Sequence, residues 1–235
     1  MTKKPNRTKV CVYCGTEQRL TVDHIPPKCL FPPPRPPNSI TVPCCHDCNS
    51  RFSKDDVYFR DRLILWQEVS NHPAAREVAE SALRSFQRPK QKRYTRSLFR
   101  NVVDVDLISK GGVYLGKGKG LKIDRRQMTR VPSRMVRGLF FHEYGEPLSD
   151  SHCAVAIPLV EEYFVDAGKQ EAVFEICRYL TSTPRTTIGQ GVFSYWHHRD
   201  EDTDYRSLWL LMFYEKISFL GMTPEKDSVP HDQRL

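Results

Sequence analysis

Two pairs of cysteines set the terms for everything else in this chain. Cys11-Val-Tyr-Cys14 and Cys45-His-Asp-Cys48 are C-x-x-C knuckles separated by 30 residues. At this spacing they supply four thiolates for a closed tetrahedral Zn²⁺ site. The stretch between them is rich in proline and poor in large apolar residues, so it cannot build a sufficient core alone and needs such a staple. Gly15 permits the tight turn that the first knuckle requires. Cys44 competes with Cys45 as a ligand, C-x-x-C geometry favours Cys45, and His46 is a weaker candidate still. Six of the eight cysteines fall within residues 11–48, and the basic N-terminus has no apolar run of the kind an export signal carries. The expected setting is therefore a reducing cytoplasm, where such pairs favour metal over disulfide. Cys153 and Cys177 sit in apolar stretches and read as small buried hydrophobes.

Around the knuckles, Arg19–Ile25 reads as a short strand, Pro26–Pro37 as a rigid spacer, Ile40–Val42 as a second strand, and His46 onward as a helix. Asp23-His24 lies at the end of the first strand, and Asn49 directly follows Cys48. Zinc would clamp strand to helix, so Asp23, His24 and Asn49 should converge. A carboxylate and an amide oxygen make a hard site suited to Mg²⁺ or Mn²⁺, and an adjacent imidazole can take a proton from water. Taken singly these residues are ordinary: a polar histidine, and an asparagine placed to cap a helix.

Together, Cys11-Val-Tyr-Cys14, Asp23-His24-Ile25-Pro26-Pro27 and Val42-Pro43-Cys44-Cys45-His46-Asp47-Cys48-Asn49-Ser50-Arg51-Phe52-Ser53-Lys54 resemble the HNH (His-Me finger, ββα-metal) endonucleases, in the subclass with two zinc knuckles. The resemblance covers about a fifth of the chain. It implies a ββα-metal finger with structural zinc at Cys11, Cys14, Cys45 and Cys48. It also implies that His24 is the general base, that Asp23 and Asn49 hold the catalytic metal, and that Lys54 or Arg51 lies near the scissile phosphate. Many HNH proteins carry an asparagine five residues before the third zinc cysteine to orient the histidine. Ile40 stands there in this chain, so Asn38 or a backbone carbonyl would have to serve.

Charge points to the same class of partner. The chain carries a formal +8, of which residues 83–130 alone contribute +11, between a mildly basic head and an acidic tail at 131–235. A polyanion is the natural partner, with Lys90, Lys92, Arg93 and Arg96 as phosphate contacts interleaved with Tyr94 and Phe99. Gly116-Lys-Gly-Lys-Gly lacks P-loop spacing and reads as a flexible loop. No apolar run is long enough to span a bilayer, which excludes a membrane protein built on helices. The expected fold is α+β. An HNH finger at residues 1–60 precedes a mixed accessory domain at 61–235, with helices near 73–87, 125–143 and 169–180. Long strands at Thr186–His197 and Tyr205–Phe219 should form an antiparallel hairpin. The expected activity is metal-dependent phosphodiester hydrolysis of nucleic acid, DNA in preference to RNA. A homodimer is one way for such an enzyme to cut both strands. The rival reading is a zinc-stapled nucleic-acid-binding or interaction module without catalysis. A redox role for the C-x-x-C pairs lacks the surrounding βαβ pattern.

Overall fold

The computed structural model describes residues 10–109, 111–159, 167–200, 202 and 205–230. The basic arm at 1–9 and part of the charged turn at 199–204 lie outside the described residues.

The fold is mixed α+β with antiparallel sheets. The β-branched run at the end of the first knuckle forms β1 (Leu20–Ile25), which pairs antiparallel with β2 (Ile40–Cys45) from Leu20↔Cys45 to Ile25↔Ile40. The second strand thus runs three residues past its expected end, and α1 (His46–Ile64) starts at once behind it. The Cys45 sulfur accepts the Cys48 N–H and so caps that helix. Helix α2 (Pro73–Phe86) begins at its proline, whose missing N–H costs nothing there.

The basic stretch contains α3 (Lys92–Arg100). Tyr94 and Leu98, one turn apart, face inward. The Tyr94 hydroxyl donates to Asp61 at 2.6 Å and Leu98 is buried, which leaves the cations outside. A two-stranded ribbon follows, β3 (Val102–Ile108) and β4 (Tyr114–Leu121). Gly116-Lys-Gly-Lys-Gly is therefore strand, not loop. Its lysines stand opposite acids, Lys117 against Asp106 and Lys119 against Asp104. Its glycines leave room for the facing side chains: a β-carbon on Gly120 would lie 2.8 Å from Val105.

Helix α4 (Arg125–Tyr144) is the central element, capped by Asp124 at one end and by Gly145 at φ 79° at the other. Strand β5 (Val155–Pro158) follows, then α5 (Ala167–Thr181), β6 (Thr186–Ile188), β7 (Phe193–Arg199), β8 (Ser207–Phe213) and β9 (Ile217–Met222). The strands form one antiparallel sheet in the order β5-β9-β8-β7-β6. Each long strand expected from the sequence is thus two. Gly189-Gln190-Gly191 breaks the first and Tyr214-Glu215 the second, all at positive φ. Tyrosine and glutamate are unusual there, and the Tyr214 hydroxyl anchors its turn by donating to the Leu30 carbonyl at 2.8 Å.

Apolar residues of the knuckle and strands (Val12, Ile25, Val42), of α1 (Phe59, Leu63), of α4 (Val131, Leu139) and of the large sheet (Trp209, Phe213, Phe219) form one buried cluster. Residue 60, where the sequence divides the chain, lies inside α1. Among the described residues no helix is long and apolar enough to cross a membrane.

Helix α4 crosses β1 so closely that a β-carbon on Gly138 would lie 2.2 Å from the Ile25 Cδ1. Alanine is otherwise the better helix former by about 1 kcal/mol, yet overpacking a closed core costs about 1–3 kcal/mol. Gly138→Ala should therefore lower unfolding stability in urea, and adding Ile25→Val, which removes that methyl, should recover part of the loss. Equal stability of Gly138→Ala and the parent would show that α4 does not press on β1.

Candidate metal and nucleic-acid site

The sulfurs of Cys11, Cys14, Cys45 and Cys48 all lie within 4.8 Å of one another, and those of Cys14 and Cys45 are 3.6 Å apart. Zinc–sulfur bonds of about 2.3 Å put tetrahedral ligands about 3.8 Å apart, so the four thiols suit Zn²⁺. The first knuckle is folded by backbone hydrogen bonds, Gly15 N–H to Cys11 O at 2.8 Å and Cys11 N–H to Thr16 O at 2.7 Å, with Gly15 at φ 72°. Val12 N–H donates to Pro43 O, and His46 N–H donates to Arg19 O, which joins the knuckles across β1 and β2. The N–H of Cys48 stabilises the Cys45 thiolate and, with its cysteine neighbours, lowers its pKa to about 7. Cys44, the competing ligand, lies outside the group. It is buried, its thiol donates to the Cys45 carbonyl, and burial with the nearby Asp23 charge pushes its pKa up. His46 is exposed beside Asp47 and is no member of the cluster either.

The expected convergence of Asp23, His24 and Asn49 is realised in part. Asn49 reaches β1: its amide N–H₂ donates to the Thr21 hydroxyl at 3.1 Å and to the Val22 carbonyl at 3.3 Å. Among the described residues its Oδ1 accepts no hydrogen bond, which leaves it available to a cation. His24 is half-buried, and among the described residues its imidazole has no hydrogen-bond partner. Burial and the nearby Lys28 lower its pKa, Asp23 opposes, and Arg35 adds to the lowering. Lys28 and Arg35 thus stand near His24 on a loop that the sequence presents only as a proline-rich spacer. The Asn38 amide, one candidate to orient the imidazole, instead donates to Thr187 O.

Asp23 faces the other way. Adjacent strand residues point to opposite faces, and Asp23 belongs to the buried one, at 5% exposure. Its carboxylate accepts from the Tyr13 hydroxyl at 2.7 Å and from the His24 N–H at 2.9 Å, and the Arg134 Nε lies 3.4 Å away. Arg134 also donates to Asp56 at 2.7 Å and lies over the Phe52 ring at 4.4 Å. This buried guanidinium ties β1 and α1 to α4. A divalent cation on Asp23 would have to displace it, so the carboxylate does not fit the ligand role. Among the described residues the set therefore provides one free oxygen donor, that of Asn49, where the sequence suggests two.

The remaining expected contacts fall on two surfaces. Arg51 and Lys54 are exposed on α1, and Arg51 lines a cleft with Tyr13, Phe52, Arg130 and Arg137. On α3, Lys92, Arg93, Arg96 and Arg100 line a concavity with Ser97, and among the described residues none of these cations has an acidic partner. Lys90 sits on the short turn Pro89–Gln91, and its side chain is outside the described residues. Sequence reasoning misses Arg134, whose only signal is a charge inside the apolar stretch of α4.

No protein-family model matches the chain, and no curated protein or solved structure matches it.

Asp23→Asn should destabilise the fold by about 3 kcal/mol, because it removes one of two carboxylates balancing a buried guanidinium. Thermal and urea unfolding would register the loss. A variant with native stability would assign Asp23 to another role and reopen it as a metal ligand.

Proposed function

We propose that this chain is an endonuclease of the HNH type that hydrolyses phosphodiester bonds of DNA, with His24 as general base. The observation that carries the reading is the order of parts. Two antiparallel strands lead into a helix, His24 is next to last on β1, and Asn49 lies in the first turn of α1. The thiol cluster brings that turn to the first knuckle, and the Asn49 amide fastens it to β1. A helix start pinned beside a strand end is a rigid frame for placing a base against a phosphate.

In this scheme His24, neutral at pH 7, takes a proton from water as the water oxygen bonds to phosphorus. The bond from phosphorus to the leaving sugar oxygen breaks, that oxygen takes a proton from water on its own side, and the imidazolium releases its proton to solvent. Lys28 and Arg35 offer positive charge where the phosphorane gathers negative charge. Asn49 is the residue that would hold a hard divalent ion. Such an ion would supply positive charge to the phosphate oxygens as the phosphorane forms. No step is assigned to Asp23. Zinc on the four thiolates has no open position and is structural.

One observation favours the second reading, a zinc-stapled nucleic-acid-binding module without catalysis. It is the engagement of Asp23 with Arg134 and Tyr13, which removes a ligand the resemblance implies. Plasmid nicking with added Mn²⁺ or Mg²⁺ separates the two. The nuclease reading expects cleavage that His24→Ala reduces by about 10²–10⁴-fold while zinc content and fold persist. Undiminished cleavage by His24→Ala would remove His24 from the mechanism, and no cleavage by the parent would support the binding module.

A further inference from the structure

The β3–β4 ribbon exposes a group of large apolar side chains. Near its tip, Ile108, Val113, Tyr114 and Leu115 are 63%, 62%, 57% and 66% exposed. One ribbon face carries the opposed charges of Asp104 and Lys119 and of Asp106 and Lys117, which cancel. The other carries Val103, Val105 and Leu107 across from glycines. Two strands alone are marginal in water, and an apolar end this open marks a contact surface.

Its neighbours indicate the chemistry of the contact. The base of the ribbon is joined to α3, with Lys122 N–H donating to Asn101 O at 2.8 Å. Helix α3 ends at Arg100, two residues before β3 begins, and carries Lys92, Arg93, Arg96 and Arg100, which have no acidic partner among the described residues.

We infer that the β3–β4 ribbon enters the major groove of double-stranded DNA, its apolar tip against base edges, while α3 holds the flanking phosphates. This rests on the nucleic-acid reading above and adds the form of the substrate: duplex, gripped by groove as well as by backbone. The major groove, about 12 Å wide, admits a two-stranded ribbon, and its thymine methyl groups accept apolar contacts. The unpaired cations of α3 supply the attraction to phosphate that the charge-balanced ribbon lacks. A second copy of the chain is the poorer occupant. Antiparallel pairing of two β3 edges about Val105 would set Asp104 against Asp106, and pairing of two β4 edges about Gly118 would set Lys117 against Lys119. Like charges directly opposite one another are destabilising.

The test is fluorescence anisotropy of the full chain on a duplex of about 20 base pairs, and on one strand of the same sequence, across a KCl series. Two variants are compared with the parent, a tip variant (Ile108→Ser, Tyr114→Ser, Leu115→Ser) and a helix variant (Lys92→Ser, Arg93→Ser, Arg96→Ser). Circular dichroism and zinc content establish that each is folded. The tip variant should bind duplex about tenfold more weakly or worse, with little change on the single strand. Its salt slope should match the parent's, because apolar contacts release no counterions. The helix variant should flatten the slope by about 0.9 for each lost phosphate contact. Unchanged duplex affinity in the tip variant would overturn the inference, and so would an equal loss on both oligonucleotides. A parent dimer in sedimentation that the tip variant dissolves would give the tip to self-association instead. A parent that binds neither oligonucleotide would fail the nucleic-acid reading itself, whatever the ribbon does.

Discussion

Four sulfur atoms drawn within 4.8 Å of one another hold the first turn of α1 against the strands that precede it. Neither knuckle could do this alone. The first is shaped by Gly15 and its backbone hydrogen bonds, the second by the Cys48 N–H on the Cys45 sulfur. A metal that joined them would convert two local turns into one rigid unit, in a segment rich in proline. The position of Asn49 and the exit of β1 at His24 both follow from that junction.

A second tie then sets the unit into the rest of the chain. Arg134 reaches from α4 between the buried Asp23 of β1 and the partly exposed Asp56 of α1, under the Phe52 ring. Buried ion pairs seldom add net stability over apolar packing, but breaking one leaves a charge without water or partner. Such a contact fixes where α4 sits more than it strengthens the fold. Gly138, further along α4, lets the helix approach Ile25 closely enough to complete the contact. The finger and the large sheet consequently share one apolar core, although the sequence divides them at residue 60.

What was legible in the sequence depended on range. The knuckles, the strand that carries His24, the start of α1 and the proline that opens α2 are local signals, and the structure has all of them. Helix α3 was hidden because its cations outnumber its two inward residues, Tyr94 and Leu98. Strand β4 was hidden because alternating glycine and lysine look like a loop until the facing strand is seen to carry aspartates and branched apolar residues. The break at Tyr214-Glu215 depends on a hydrogen bond to Leu30, 184 residues away in sequence, and no local pattern announces it. At the candidate site the adjacency of Asp23 and His24 suggested a shared task. Strand alternation separates them instead, and the partner that decides the role of Asp23 is Arg134, far along the chain.

The central claim is that a thiolate-bound zinc holds the frame in which His24 and Asn49 are placed, and its most direct test is metal content followed through unfolding. Elemental analysis of the purified chain should find about one zinc per molecule. Removal of that zinc by a strong chelator should unfold the β1–β2–α1 unit and lower the melting temperature, with recovery when zinc is restored. A zinc-free chain that keeps the same melting temperature and circular dichroism would contradict the account.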